Sequence, residues 1–332
     1  MTMTHAPAQM AAPVFIEFDD NRHLPELFGE HDKHLVQIEK ALGVSLINRG
    51  NQVAINGPDD AVKLAFMALE RLYERLSGGE PVEKGDVDAA MRMADAPKDL
   101  FGEQEAVIRT PRKTLAARTP NQSIYMDAMR NFDLTFGIGP AGTGKTYLAV
   151  CHGVSMLTSG AVDRIILSRP AVEAGERLGF LPGDMKEKVD PYLRPIYDAL
   201  YDTLPADQVN RKIDNGEIEI APLAFMRGRT LKNAFVLLDE AQNTTPAQMK
   251  MFLTRLGDNS RMVITGDMTQ VDLPHTQKSG LRDALETLKG VDGIYTMRFQ
   301  AVDVVRHALV ARIVDAYDNR QREVGSDWDL DI

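Results

Sequence analysis

One glycine-rich stretch, residues 139–146, limits what this chain can fold into, because it has the pattern G-x-x-x-x-G-K-[ST]. Its members are Gly139, Pro140, Ala141, Gly142, Thr143, Gly144, Lys145 and Thr146. It follows an apolar run, 134–138, and precedes a helix-forming segment, which is the strand, loop and helix order of a P-loop. The glycines leave backbone N–H groups free to surround phosphate oxygens, and the helix directs its positive end at the same place. We expect Lys145 to reach the β- and γ-phosphates and Thr146 to bind Mg²⁺, so the pattern predicts a nucleoside triphosphate site.

The bulk composition describes a globular chain of about two domains, with 332 residues, 44% apolar and 26% charged. No apolar run approaches the roughly 18 residues that a bilayer span needs, so we expect no membrane segment. Cys151 is the only cysteine and a signal peptide is not recognisable, which favours a cytoplasmic protein without disulfides. The net charge of −10 argues against a surface coated for nucleic acid but allows a local basic groove.

A second motif is the acidic pair Asp239-Glu240, which follows the apolar residues 235–238. Four apolar residues predict a buried strand, and α/β proteins bind ligands at the carboxyl ends of such strands. We expect Asp239 to hold Mg²⁺ directly or through water, and Glu240 to polarise the water that attacks the γ-phosphate. This pairing is more typical of a hydrolase than of a kinase. The alternative is that both acids cap the next helix.

Two glutamines complete the predicted site. Residues 266–270 have the spelling G-D-x-x-Q, which is similar to the sensor motif of superfamily-1 helicases, and Gln270 would there contact the γ-phosphate. Gln122 precedes the P-loop strand, where related ATPases carry a glutamine that pairs with the adenine edge. The alternative for Gln122 is a solvated side chain near a helix N-terminus.

The longest distinctive stretch lies between the P-loop and the acidic pair. Residues 168–184 read Ser-Arg-Pro-Ala-Val-Glu-Ala-Gly-Glu-Arg-Leu-Gly-Phe-Leu-Pro-Gly-Asp, and residues 190–195 read Asp-Pro-Tyr-Leu-Arg-Pro. With the P-loop, residues 239–243 and the Gly266-Asp267 pair, they resemble the PhoH family over 111–318. The resemblance implies a cytoplasmic ATPase that uses ATP and Mg²⁺, has a helicase-like core and acts in RNA metabolism. The implied fold is α/β, a RecA-like P-loop NTPase with a parallel central sheet.

The amino-terminal part, 13–78, predicts a small α+β domain with the order strand, helix, turn, helix, hairpin, helix. This order resembles a KH-type RNA-binding domain, which also occurs in the PhoH-like branch of the family. A KH domain clamps a nucleic-acid backbone with a G-x-x-G loop. Here that loop reads Gly29-Glu30-His31-Asp32, and carboxylates repel phosphates. RNA binding and a docking or oligomerisation role therefore remain equal alternatives.

The remaining segments are read as connections. Residues 1–12 lack periodicity and predict a disordered tail. Residues 79–110 are charged, contain one weak helix at 87–94 and are interpreted as a linker. Residues 319–332 form an acidic tail, predicted to be disordered, in which Trp328 is a possible docking residue.

Several side chains are candidates for contacts with single-stranded RNA. The cationic ones are Arg169, Arg177, Arg194, Arg227, Arg229 and Lys232. Tyr192 and Tyr197 could stack on bases. Core packing is the favoured role for both tyrosines, and for the arginines the two roles stay open. A helical apolar stripe supports the core role, and its members are Leu193, Tyr197, Leu200, Tyr201 and Leu204.

An arginine that stabilises γ-phosphate charge is the last element expected. Residues 111–318 have room for only one RecA-like core, so the arginine is predicted to come from a neighbouring subunit, and a homo-oligomeric ring supplies it most simply. Arg306 and Arg298 are the candidates, with a surface role as the alternative. Three hypotheses follow: an RNA-stimulated ATPase or helicase, a nucleotide-dependent scaffold or remodeller of a protein partner, and a small-molecule kinase.

Overall fold

The computed structural model describes residues 12–95, 106–170, 185–274 and 276–305, together with positions 310, 313, 316 and 320; the side chains of 185–192 are not included. The chain divides into two compact units. One comprises Met1–Ala106 and Ala116–Ile124, and the other Val107–Leu115 and Tyr125–Ile332.

The amino-terminal unit is a three-stranded antiparallel sheet with helices. Its elements are β1 (Val14–Glu17), α1 (Leu24–Phe28), α2 (Lys33–Leu42), β2 (Ser45–Arg49), β3 (Gln52–Asn56), α3 (Asp59–Ser77) and α4 (Lys84–Ala94). The strand order is β1-β3-β2, with β3 paired to both neighbours. The order of elements up to α3 is the one that the sequence predicts. Between α1 and α2, Gly29, His31 and Asp32 all have positive φ, so a tight left-handed turn stands at the place of the predicted loop.

Helix α4 differs from the predicted linker at 79–110. Its residues Val87, Ala90, Met91 and Ala94 are buried in the same core as α3. They are spaced i, i+3, i+4 and i+7, so they form one apolar stripe along the helix that the sequence predicts at 87–94; what the sequence did not indicate is that this helix packs into the domain core. The rest of the predicted linker includes 96–105, which lies outside the described residues, as do residues 1–11 and almost all of the predicted acidic tail.

The second unit is built on a six-stranded sheet with helices between its strands. A two-stranded ribbon, β4 (Val107–Arg109) and β5 (Thr114–Ala116), precedes α5 (Pro120–Asn131). The next elements are β6 (Leu134–Ile138), α6 (Lys145–Thr158), β7 (Arg164–Arg169), α7 (Met185–Thr203), α8 (Ala206–Asp214), β8 (Ile218–Pro222), β9 (Ala234–Leu238), α9 (Pro246–Leu253), β10 (Arg261–Gly266), α10 (Gly280–Thr287) and β11 (Ile294–Arg298). The sheet order is β11-β6-β10-β9-β7-β8, and every pair is parallel. This confirms the α/β fold with a parallel central sheet.

The register of the sheet brings three motifs to one edge. Ile138 at the end of β6 pairs with Gly266 at the end of β10, and Leu238 at the end of β9 pairs with Ile264. Both β6 and β9 are buried along their whole length, as their apolar runs predict. The loops after these strands therefore meet at the carboxyl edge, where ligands of α/β sheets bind.

The apolar stripe predicted along α7 and the residue after it is confirmed by the burial of its leucines. Leu193, Leu200 and Leu204 are buried, and Tyr197 is half-buried beside them. None of the described helices combines the length and the apolar content needed to cross a membrane.

Candidate nucleotide-binding site

The P-loop connects β6 to α6 as predicted. Gly142 and Gly144 have φ of +88° and +84°, a backbone conformation that favours glycine, and α6 begins directly at Lys145. A Cβ on Gly139 would lie 2.6 Å from the carbonyl oxygen of Phe299, so the loop also requires a glycine where the chain after β11 crosses it. A glycine-rich loop that leads into the amino end of a helix provides backbone N–H groups for an anion, so this loop and α6 form a candidate phosphate-binding concavity.

Lys145 folds back over this loop. Its Nζ donates a hydrogen bond to the carbonyl oxygen of Pro140 at 2.7 Å and lies 3.4 Å from Oγ1 of Thr143. The side chain is buried, although it carries a charge. The ammonium group thus lies within the concavity that would receive phosphate oxygens.

Asp239 and Thr146 meet as the motifs predict. Oδ1 of Asp239 accepts hydrogen bonds from Oγ1 of Thr146 at 2.6 Å and from Oγ1 of Thr265 at 2.7 Å. The carboxylate is buried, and its backbone N–H donates to Ser168 on the neighbouring strand. Carboxylate and hydroxyl oxygens are ligands that Mg²⁺ prefers when substrate phosphates and water complete its shell, so these residues fit that ion. Among the described residues no cluster of three His, Cys, Asp or Glu forms a metal site on protein side chains alone.

Glu240 is held from two sides. Its backbone is left-handed, with φ 52° and ψ 39°. Oε2 accepts a hydrogen bond from Nε2 of Gln242 at 2.5 Å, and Oε1 lies 3.4 Å from Nη2 of Arg169 at the end of β7. The carboxylate therefore has a defined position next to Asp239.

Gln242 connects the acidic pair to the sensor-like loop, a role that sequence reasoning missed. Its fully buried amide also donates to the carbonyl oxygen of Gln270 at 3.1 Å and accepts from the backbone N–H of Asp267 at 3.0 Å. Gly266 leaves the space for this amide, because a Cβ there would lie 2.8 Å from Oε1 of Gln242. Oδ2 of Asp267 is buried and has no hydrogen-bond partner among the described residues, so it is available to a ligand.

Together these residues line a cleft of about 270 Å³. The lining residues include Gly142, Gly144, Lys145, Thr146, Tyr147, Asp239, Glu240, Asp267 and Gln270. The structure thus brings the predicted P-loop, acidic pair and exposed Gln270 to one place.

Tyr147, which the sequence did not single out, ties the P-loop helix to α7. Its hydroxyl donates to Oδ2 of Asp202 at 2.6 Å, and Nζ of Lys113 lies 2.5 Å from the same oxygen. Burial, and then the hydrogen bond to Asp202, raises the pKa of Tyr147, and burial raises the pKa of the Cys151 thiol to about 12. Both groups are therefore protonated at neutral pH, and Cys151 serves packing.

Other predicted residues have different surroundings. Gln122 is buried and its Oε1 accepts from the backbone N–H of Arg118 at 2.9 Å, so the solvated alternative is wrong, and its contact with adenine stays a prediction. Arg229 makes a two-pronged ion pair with Glu219 at 2.6 and 2.7 Å, and Lys232 pairs with Asp258 at 2.8 Å.

Two of the arginines proposed for RNA, Arg194 and Arg227, are exposed. Arg298 is exposed at the carboxyl end of β11, beside Ile138 of β6. Arg177, Arg306 and the side chain of Tyr192 lie outside the described residues.

A P-loop, a magnesium-type acid and an adjacent glutamate at the carboxyl edge of a parallel sheet define a nucleotide-binding P-loop protein. The family model "PhoH-like protein" matches residues 114–318, and the chain belongs to this family. The PhoH-like protein of Bacillus subtilis is 53% identical over 298 residues, covering 89% of this chain and 93% of that protein. The PhoH-like protein of Mycobacterium leprae is 49% identical, covering 88% and 84%.

Protein PhoH of Escherichia coli is 48% identical over 205 residues, which cover 61% of this chain and 58% of that protein. The SWI2/SNF2 ATPase core of Sulfolobus solfataricus, solved in complex with dsDNA, aligns over 50% of this chain and 34% of its own, with a TM-score of 0.32 and 14% identity, too low to support an argument.

Proposed function

We propose that this PhoH-like protein is a Mg²⁺-dependent ATPase that couples hydrolysis to the binding or remodelling of RNA. The observation that carries the hydrolytic part is the position of Glu240. Glu240 directly follows Asp239 in the chain, and it lines the same cleft as Lys145 and Thr146. A kinase has no need for an acid that activates water, so the kinase hypothesis is the least supported.

Each residue has a separate part in this proposal. Lys145 and the P-loop amides bind and orient the β- and γ-phosphates. Thr146 and Asp239 hold Mg²⁺, which would neutralise phosphate charge when bound. Glu240 orients a water in line with the γ-phosphate and accepts its proton. Gln270, which is exposed at the rim of the cleft, contacts the γ-phosphate and relays its presence.

The RNA part is supported by the KH-like order of the amino-terminal unit and by the family resemblance. The competing proposal is a nucleotide-dependent scaffold or remodeller of a protein partner. One observation favours it: Glu30 and Asp32 are exposed in the turn where a KH domain clamps phosphates. Two carboxylates at this turn weaken binding to a phosphate backbone.

Glu240→Gln tests the hydrolytic part. We expect kcat for ATP hydrolysis to fall by about 10²–10⁴-fold, since a general base is lost, while binding of a fluorescent ATP analogue persists. Glu217→Gln is the matched control, because Glu217 pairs with Lys212 at the amino end of β8, away from the cleft. Unchanged turnover in Glu240→Gln would contradict the mechanism.

Turnover measured with and without single-stranded RNA separates the two coupling proposals. An increase in kcat with RNA is expected. If ATP is hydrolysed but RNA changes neither kcat nor KM, the scaffold proposal replaces the RNA proposal while the ATPase assignment stands.

A further inference from the structure

A groove beside the edge strand β11 has an apolar floor and a cationic rim. It lies between α10 and β11 and has a volume of about 590 Å³. Leu285, Leu288 and Ile294 are half-buried in it, above the fully buried Phe136 of β6. Phe136 belongs to the hydrophobic core of the sheet and the other three side chains pack against that core, so the groove leaves part of an apolar surface exposed to solvent.

The rim of the groove carries three exposed cations. Arg282 and Lys289 stand on the α10 side, and Arg298 stands at the end of β11. None of the three has an ion-pair partner within the described part of the chain. Glu286 is the one acid that lines the groove among the described residues, and its carboxylate is 3.6 Å from Nζ of Lys278, which also lies 3.9 Å from Oδ1 of Asp283. The rim is therefore locally positive on a chain whose net charge is −10.

This combination selects for an acidic ligand with apolar side chains. A nucleic-acid backbone would suit the cations, but phosphate contacts do not use an apolar floor. The sequence contains one segment with the required pattern, at 327–332, where aspartates alternate with apolar residues. Its members are Asp327, Trp328, Asp329, Leu330, Asp331 and Ile332. In an extended chain such alternation puts the three acids on one face and the three apolar side chains on the other.

We propose that the groove between α10 and β11 binds segment 327–332 of this chain. Trp328 and Leu330 cover Leu285, Leu288 and Ile294, which removes apolar surface from water on both sides. The aspartates face Arg282, Lys289 and Arg298 at the rim. These charge pairs determine how the segment is positioned along the groove more than they increase its affinity. Met268, which lies two residues before Gln270, also lines the groove, so the bound segment would border the sensor-like loop.

Trp328 is the only tryptophan in the chain, so its fluorescence reports on the segment directly. In the full-length protein we expect a blue-shifted emission and quenching by acrylamide several-fold weaker than in a free peptide of residues 323–332. The double variant Arg282→Glu/Lys289→Glu should bring quenching up to that of the peptide. Arg211→Glu is the control, because this exposed arginine stands on α8 near the opposite edge of the sheet and should change nothing.

A variant of the segment keeps the test independent of damage to the groove. Asp327→Lys/Asp329→Lys/Asp331→Lys alone should expose Trp328, and combining it with Arg282→Glu/Lys289→Glu should restore protection. The proposal is overturned if Trp328 of the unmodified protein is quenched as strongly as the free peptide. It is equally overturned if charge reversal in the groove leaves Trp328 quenching constant; a change in oligomeric state in the same variant would then show that another copy occupies the groove.

Discussion

Gln242 is the single residue on which the geometry of the cleft depends most. Its fully buried amide makes three hydrogen bonds, to Glu240, to the carbonyl oxygen of Gln270 and from the N–H of Asp267. Only an amide can donate twice on one side and accept on the other. The sensor-like loop and the carboxylate of Glu240 are therefore linked through one side chain.

Gln242→Glu should disrupt this arrangement. The substitution replaces the donor that faces Glu240 with a second buried carboxyl group, which is repelled or must take up a proton. We expect the free energy of unfolding to fall by about 2 kcal/mol or more and kcat for ATP hydrolysis to fall with it. Urea denaturation and steady-state turnover measure the two effects.

Gln248→Glu is the matched control. Oε1 of Gln248 accepts from the backbone N–H of Thr245 at 2.8 Å in an exposed capping box, and a glutamate preserves that bond. If Gln242→Glu were as stable and as active as Gln248→Glu, the connecting role of the buried amide would be wrong.

Residues inside local motifs could be predicted from the sequence, whereas their partners could not. Lys145, Thr146 and Asp239 follow from short patterns whose spacing is set by one strand and one loop. The hydrogen bond from Asp267 to Gln242 depends on the pairing of β9 with β10, which no local pattern encodes. For the same reason Arg229 could be proposed as an RNA contact although Glu219 occupies its guanidinium.

At the scale of elements, α6 approaches β9 closely, and Thr146 at the start of α6 contacts Asp239, which follows β9. Gly153 in the middle of α6 makes this approach possible. A Cβ at that position would lie 2.5 Å from Cδ1 of the buried Phe235 on β9. The P-loop helix and the strand of the acidic pair are thus in contact through a residue with no side chain.

Gly153→Ala should push α6 away from β9. Overpacking typically costs about 1–3 kcal/mol, which exceeds the gain of up to about 1 kcal/mol from helix propensity. We expect lower stability in urea and weaker binding of a fluorescent ATP analogue. Gly85→Ala in α4 is the control, since nothing lies within 4 Å of its Cβ position. Equal or higher nucleotide affinity in Gly153→Ala would show that the spacing does not matter.

The elements themselves were the most predictable feature of this chain. The strands β6 and β9 are apolar along their length because both faces of a parallel sheet are covered, and that pattern is visible in the sequence. The helix at α4 was predicted, but as part of a linker, because its packing against α3 cannot be seen in the local sequence. Tertiary packing, which composition does not report, decides such cases.

At the scale of the whole molecule, the second unit contains a single six-stranded sheet in the described residues. We therefore expect a neighbouring subunit to supply the arginine that stabilises γ-phosphate charge, and Arg306 remains the first candidate. Lys145→Ala destroys the nucleotide site of a subunit but leaves the Arg306 that it would offer to its neighbour. Arg306→Ala removes that arginine but leaves the nucleotide site of its own subunit intact. Mixing the two inactive variants should restore ATP turnover at sites formed between them.

The control for this experiment mixes Lys145→Ala with Glu240→Gln, which damage the same side of the interface and should not complement each other. A competing arrangement has a structural basis, because the backbone N–H of Val305 donates to the carbonyl oxygen of Gly142 at 2.9 Å. The chain just before Arg306 therefore lies against its own P-loop. If the mixed variants stay inactive, and the unmodified protein keeps full turnover when diluted to monomers, the arginine acts within its own subunit. Recovery of turnover on mixing shows that the arginine comes from a neighbouring subunit, because neither variant chain contains both Lys145 and Arg306.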